Sequence, residues 1–275
     1  MALNELSGPV VLLGAGKMGG AMLEGWLKLG LPAHQAVVLD PHLPVTASEE
    51  LKARGVQVNP PLSQIASPAV LILAVKPQVA PEVLPEIKSL AAPGTLVVSI
   101  MAGRPLAFLE SCFAPGTAVA RVMPNTPAAI GQGVSVVVGN SAVSPQSRLL
   151  ATALLGAIGS VEWVEDEGLI DAVTAVSGSG PAYVFLLAEA LAQAGVKAGL
   201  PADLSARIAR ATVSGSGALL AQSELDAAVL RQNVTSPGGT TAAALAVLMD
   251  EGRGFGPLLE DAIEAAARRS RELAG

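Results

Sequence analysis

Apolar residues fall in short, unbroken runs over the first part of the chain, separated by stretches with helical spacing. Val10-Val11-Leu12-Leu13 predicts a buried strand, and a helix is expected from about Met18 to Lys28. Val37-Val38-Leu39 predicts a second strand, with Ser48-Glu49-Glu50 opening a second helix. Further strands are expected at Val70–Ala74, Thr95–Ile100, Val119–Met123, Val134–Val138 and Val161–Val164. Strands without polar alternation are buried on both faces, so the pattern predicts a mainly parallel sheet covered by helices, a doubly wound α/β domain.

The pattern changes near Asp166. Beyond it β-branched alternation disappears and Ala/Leu-rich helical stretches take over, at about Leu169–Ser177, Pro181–Ala194, Pro201–Ala221, Asp226–Asn233, Thr240–Asp250 and Gly256–Leu273. Pro181, Pro201 and Pro257 read as first-turn prolines, where the missing N–H costs nothing. The expected division is therefore a dinucleotide-type domain over 1–165 and an all-α domain over 166–275. Ala211–Leu220 is apolar around most of its circumference, which predicts a helix covered on all sides.

Composition sharpens this picture. Apolar residues make up 51% of the 275, aromatics 3% and charged residues 15%, and mean hydropathy is +0.53. That excess needs either lipid or a large subunit interface. No uninterrupted apolar run approaches the roughly 18 residues of a membrane span, and Met1–Gly8 lacks a signal-peptide pattern. The expectation is thus a cytoplasmic homo-oligomer with no membrane association. A net charge of −6 without a basic cluster argues against nucleic acid. One cysteine, Cys112, and two histidines, His34 and His42, offer no metal-ligand spacing, so no metal is expected.

Gly14-Ala15-Gly16-Lys17-Met18-Gly19 matches the dinucleotide-binding fingerprint. It follows a strand and opens a helix, and Asp40 ends the next strand about 20 residues on. A carboxylate there accepts from the adenosine ribose hydroxyls and repels a 2′-phosphate, favouring NADH; a turn-capping Asp before Pro41 is the plain alternative. Ala74-Val75-Lys76-Pro77 and Ala102-Gly103 follow later strands, where ligands of such sheets lie. Arg121–Pro127 occupies the same position after the next strand, with Asn125 a polar candidate.

Two segments of the helical part invite a chemical reading. Ser177-Gly178-Ser179-Gly180-Pro181-Ala182-Tyr183 is a small-residue break at a helix start, and Asn233–Thr241 ends in Gly238-Gly239-Thr240-Thr241 at another. Free amides at a helix N-terminus receive anions, and a substrate carboxylate fits there without a lysine or arginine. A plain capped turn accounts for the second segment equally well.

Together these motifs resemble the Δ1-pyrroline-5-carboxylate reductase family over essentially the whole chain. The resemblance rests on the Gly14 loop, Ala74–Gln78, Met123–Pro127, Asp171–Tyr183 and Gln232–Thr241 followed by Ala244-Leu245. It implies an N-terminal Rossmann domain and a C-terminal helical dimerisation domain, with dimers that often assemble into rings, commonly decamers. It implies that Thr241 hydrogen-bonds the substrate near its ring nitrogen and that amides around Gly239, Thr240 and Thr241 hold the carboxylate. By the same resemblance Asn233 meets the nicotinamide end of the cofactor, while Glu167 lies at the substrate pocket with Glu224 nearby. The family implies NADPH, but many members carry a Ser/Asn-Arg-Ser/Thr segment where this chain has Asp40-Pro41-His42; the local residues imply NADH. The reaction implied is hydride transfer to the C=N of the cyclic imine, giving L-proline. A β-hydroxyacid dehydrogenase is the alternative enzyme, with Lys197 as its lysine, and a dinucleotide sensor without turnover is a third reading.

Overall fold

The structure, a computed structural model, describes residues 3–274. It forms two compact units, one running to Gly178 and taking in the chain again from Ala267, the other Ser179–Ala266.

The first unit is built on one eight-stranded sheet. Its strands are β1 (Val10–Leu13), β2 (Ala36–Leu39), β3 (Gln57–Val58), β4 (Val70–Leu73), β5 (Leu96–Ser99), β6 (Ala118–Met123), β7 (Gly133–Gly139) and β8 (Gly159–Trp163). They lie in the order β3-β2-β1-β4-β5-β6-β7-β8, all parallel except the β6–β7 pair. Between them run α1 (Lys17–Lys28), α2 (Val45–Ala53), α3 (Ala80–Ile87), α4 (Leu106–Ser111) and α5 (Pro145–Leu155). The sheet separates two cores. Val10 and Leu12 face the side of α1 and α5 with Trp26 and Leu154, while Val11 and Leu13 face α3 and α4 with Leu84 and Leu109. This two-sided burial explains the unbroken apolar runs. Trp26 is completely buried, and its indole N–H donates to the Leu154 carbonyl at 2.9 Å, fixing α1 against α5.

Three local expectations change. α2 starts at Val45 after Pro44, with no side-chain cap; Ser48 is interior, its N–H bonded to the Pro44 carbonyl. β3 has no counterpart among the expected strands, because two residues at a sheet edge carry no readable period. Pro201 precedes its helix rather than sitting in the first turn.

After β8 the chain runs through α6 (Ile170–Val173) into a π-helical turn, Thr174–Gly178. Then come α7 (Gly180–Lys197), α8 (Ala202–Gln222), α9 (Ala227–Asn233), α10 (Thr240–Leu248) and α11 (Phe255–Ala274). α7 and α8 make a close hairpin: a Cβ on Gly195 would collide with the Ser205 hydroxyl oxygen, and buried Ser205 donates to the Ala192 carbonyl at 2.7 Å. The helical run Glu167–Lys197 spans 31 residues and is long and apolar enough, by length and composition, to cross a membrane. It escapes a criterion of uninterrupted apolar residues, because glycines, serines and threonines are scattered through it. The end of α11 belongs to the first unit, where Ala267 is buried and the Ser270 hydroxyl donates to the Asp171 carboxylate at 2.6 Å.

Candidate active site

The ends of the central parallel strands make a platform in the first unit. Gly14 donates its N–H to the Leu39 carbonyl at 2.9 Å, and Ala74 donates to the Leu13 carbonyl at 2.8 Å. The glycine loop therefore emerges between β2 and β4. Gly14 has φ +90°, and a Cβ on it would meet the Ala74 carbonyl oxygen at 2.8 Å; a Cβ on Gly19 would collide with the Gly14 carbonyl oxygen. Both positions exclude a side chain. Gly16, the N-cap of α1, has nothing within 4 Å of its Cβ direction. Its backbone lies open beside first-turn amides that have no partner inside the helix. That combination of open backbone, unpaired donors and helix dipole fits a dinucleotide pyrophosphate.

Asp40 stands at the end of β2 with both carboxylate oxygens engaged. Oδ2 accepts the Ala15 N–H at 2.9 Å, and Oδ1 accepts the His42 N–H at 2.9 Å. The residue thus caps its own turn and also grips the glycine loop. Lys76 is exposed beyond β4, with Val75 and Pro77 half-buried beside it. Ala102 and Gly103 follow β5, Gly103 at φ +67°. Strand order places these segments at the ends of four neighbouring strands, β2, β1, β4 and β5. Arg104 links two of them. It donates to the Pro77 carbonyl at 2.9 Å, and its guanidinium carbon lies 4.6 Å from the centre of the Phe108 ring.

Glu167 is held within the first unit. Its Oε1 accepts from Arg121 Nη1 at 2.7 Å and from the Leu106 N–H at 2.8 Å, so one carboxylate pairs the buried arginine of β6 and caps the start of α4. Asn125 accepts the Val134 N–H at 2.9 Å and donates to the Ser177 hydroxyl at 3.2 Å in the π-helical turn.

Within the second unit, Asn233 ends α9 and is exposed. The segment after it is ordered by its own hydroxyls and turns. Thr235 Oγ1 donates to the Arg231 carbonyl at 2.7 Å, and the Gly239 N–H donates to the Ser236 carbonyl at 3.0 Å. Gly238 takes φ +68°, and Gly239 is the N-cap of α10 without a side-chain cap bond. Ala243 is the first residue whose N–H closes back onto Gly239, at 3.1 Å. The amides of Thr240, Thr241 and Ala242 precede it and have no helical acceptor, so they present a row of donors. Lys197 ends α7 and is exposed; Glu224 is exposed after α8.

Sequence patterns do not single out Arg104 or the Arg121–Glu167 pair for these roles. Each acts through contacts with residues distant along the chain, and no local spacing signals them. A cavity of about 640 Å³ lies at the opposite, amino end of the strands, among Thr95, Thr117 and Ser147, and none of the platform residues lines it. Among the described residues no cluster of three or more potential metal ligands occurs.

Residues 167–273 match the family described as pyrroline-5-carboxylate reductase dimerisation, and residues 9–103 match NADP oxidoreductase coenzyme F420-dependent. A pyrroline-5-carboxylate reductase of Pseudomonas aeruginosa is 40% identical, with 96% of each chain covered. One from Glycine max is 39% identical, covering 95% of this chain and 94% of its own. Among solved structures, a pyrroline-5-carboxylate reductase from Coxiella burnetii superposes with a TM-score of 0.91 at 31% identity, over 98% of this chain and 100% of that one. The Plasmodium falciparum pyrroline carboxylate reductase, solved with NADP bound, gives 0.79 at 28% identity over 98% and 99%. The chain belongs to the pyrroline-5-carboxylate reductase family.

Proposed function

We propose that this chain reduces Δ1-pyrroline-5-carboxylate to L-proline with a reduced nicotinamide dinucleotide, NADH or NADPH. Full-length similarity to pyrroline-5-carboxylate reductases is the observation that carries the reading. The Gly14–Gly19 loop, Asp40, Ala74–Pro77, Ala102–Gly103 and Asn233 hold the dinucleotide, which when bound supplies the hydride from nicotinamide C4. Domain 1–165 binds the cofactor, and 166–275 dimerises and contributes to the substrate site.

The chain's own task is to bind and orient a small imine. The substrate carboxylate is received by the amides at Gly239, Thr240 and Thr241, which need no cationic side chain. The Thr241 hydroxyl hydrogen-bonds the ring nitrogen, donating to the neutral imine and accepting its N–H once the nitrogen is protonated, which favours the polarised C=N. A cyclic imine is basic enough to be protonated from solution, so no histidine is required. The imine carbon gains the hydride, the nitrogen keeps the proton, and the C=N double bond becomes single.

Glu167 enters this scheme as a support for α4 and Arg121 at the edge of the substrate pocket. Asp40 favours an unphosphorylated ribose, and the family's NADPH habit is the counterweight. Exposed apolar side chains on the helical unit, Phe185 and Leu219 among them, are covered by a second copy of the chain, which also accounts for the apolar run Glu167–Lys197 without lipid. Dimers of this kind assemble further into rings, and the enzyme works in the cytoplasm.

The test is a steady-state assay offering pyrroline-5-carboxylate with each reduced dinucleotide and a panel of 3-hydroxy acids with each oxidised one. Turnover of the imine alone is expected. Turnover of hydroxy acids alone favours the dehydrogenase alternative, in which Lys197 does the chemistry.

A further inference from the structure

Asn59 is the only non-glycine among the described residues with positive φ, at +51°. Asparagine tolerates this region better than most residues, but a residue held there is maintained by its surroundings. It also precedes Pro60, which narrows its choices further. An Asx turn would have the side chain bonding the backbone two residues ahead. Instead it reaches back across the sheet edge to Asp40. Asn59 Oδ1 accepts the Asp40 N–H at 2.8 Å, and Nδ2 donates to the Asp40 carbonyl at 2.9 Å. The Asn59 N–H donates to the Val38 carbonyl at 2.8 Å, extending the β2–β3 ladder by one more bond.

The side-chain amide therefore satisfies both backbone groups of Asp40, as a neighbouring strand would. β3 is only two residues long and ends before it can pair with Asp40 by backbone alone. With its backbone fixed, the Asp40 carboxylate is aimed at two N–H groups, one on the glycine loop at Ala15 and one at His42. Each oxygen keeps one lone pair for a ligand hydroxyl. A carboxylate free to rotate would relax away from a phosphate; one held at both oxygens and at its own backbone cannot.

We infer that Asn59 is a positioning residue for dinucleotide selection: by bracketing the Asp40 backbone it holds the carboxylate where it accepts from a ribose 2′-hydroxyl and opposes a 2′-phosphate. The inference rests on the dinucleotide-binding reading above. Its chemistry is specific to adenosine ribose, so the substrate end of the reaction should not sense the residue.

The decisive variant is Asn59→Gly, which deletes the bracket while allowing the same positive φ. Dinucleotide affinities are measured by fluorescence titration, and kcat/KM for NADH and NADPH at saturating imine, on wild type, N59G, D40S and the double variant. The NADH-to-NADPH ratio of kcat/KM is expected to fall at least fivefold in N59G, through KM for the dinucleotide rather than through kcat. In the D40S background the same substitution is expected to move the ratio less than twofold, because no carboxylate remains to be positioned. An unchanged ratio in N59G, or an equal change with and without Asp40, overturns the inference while leaving the reductase reading intact. Failure of wild type to bind either dinucleotide overturns that reading, and the inference with it.

Discussion

Single atoms set the demands at the dinucleotide loop. At Gly19 a methyl group would collide with the Gly14 carbonyl oxygen, whereas at Gly16 it would meet nothing within 4 Å. Gly19→Ala is therefore expected to lose about 1–3 kcal/mol of stability in urea unfolding, the usual cost of overpacking. Gly16→Ala is expected to stay within about 0.5 kcal/mol of wild type and yet bind dinucleotide at least tenfold more weakly, because the methyl occupies the face the phosphates approach. Equal effects of the two substitutions on stability would contradict this assignment. At the other motif, Thr241→Ala is expected to lower kcat/KM for the imine at least tenfold with dinucleotide affinity near wild type. An unchanged kcat/KM would remove Thr241 from the mechanism. Glycine spacing between a strand and a helix start, with Asp40 ending the next strand, makes the Gly14 loop legible in the sequence. The second role of Asp40, gripping Ala15 while capping His42, is not legible there, because the sequence offers ligand contact and turn capping as alternatives. The fold has the carboxylate cap its turn and face the loop at once.

Between elements, the Arg121–Glu167 pair joins β6, the start of α4 and the head of the long helical run. The arginine side chain is 9% exposed and the glutamate 30%. Removing the carboxylate leaves a buried guanidinium without its partner and an uncapped helix start. Glu167→Ala is expected to cost about 2–3 kcal/mol, below the value for a fully buried pair because Glu167 is partly solvated. Urea unfolding checks it; a stable variant with a raised KM for the imine would show instead that Glu167 acts on the substrate. Glu167 illustrates where sequence reading stops. Motif resemblance marks the residue, but its partners lie 46 and 61 positions away, a distance that no helical or strand period encodes. The strands are legible for the opposite reason, since burial on both faces writes itself as a local run. The π-helical turn Thr174–Gly178 leaves no local signal beyond the small residues that begin within it at Ser177, and such turns often mark functional sites.

For the whole molecule, the apolar excess of the composition resurfaces as uncovered helix faces. Phe185, Leu186, Leu219 and Val247 are each at least 57% exposed, and α10 has no buried residue within the chain. Burying a side chain of this size is worth about 1.5–3 kcal/mol, so a few of them suffice to drive association. Light scattering after gel filtration is expected to give at least twice the chain mass of 27.5 kDa. Leu219→Arg with Leu220→Arg is expected to shift the protein toward monomer or to make it insoluble, and a soluble variant that keeps the wild-type oligomeric mass would contradict the assignment of this face. The reductase reading itself is tested most directly by following the label from dinucleotide carrying two deuterium atoms at C4 into product. The account predicts deuterium at C5 of L-proline, one equivalent for each dinucleotide oxidised and only when pyrroline-5-carboxylate is present. Dinucleotide that binds but passes no deuterium to the imine carbon would contradict it.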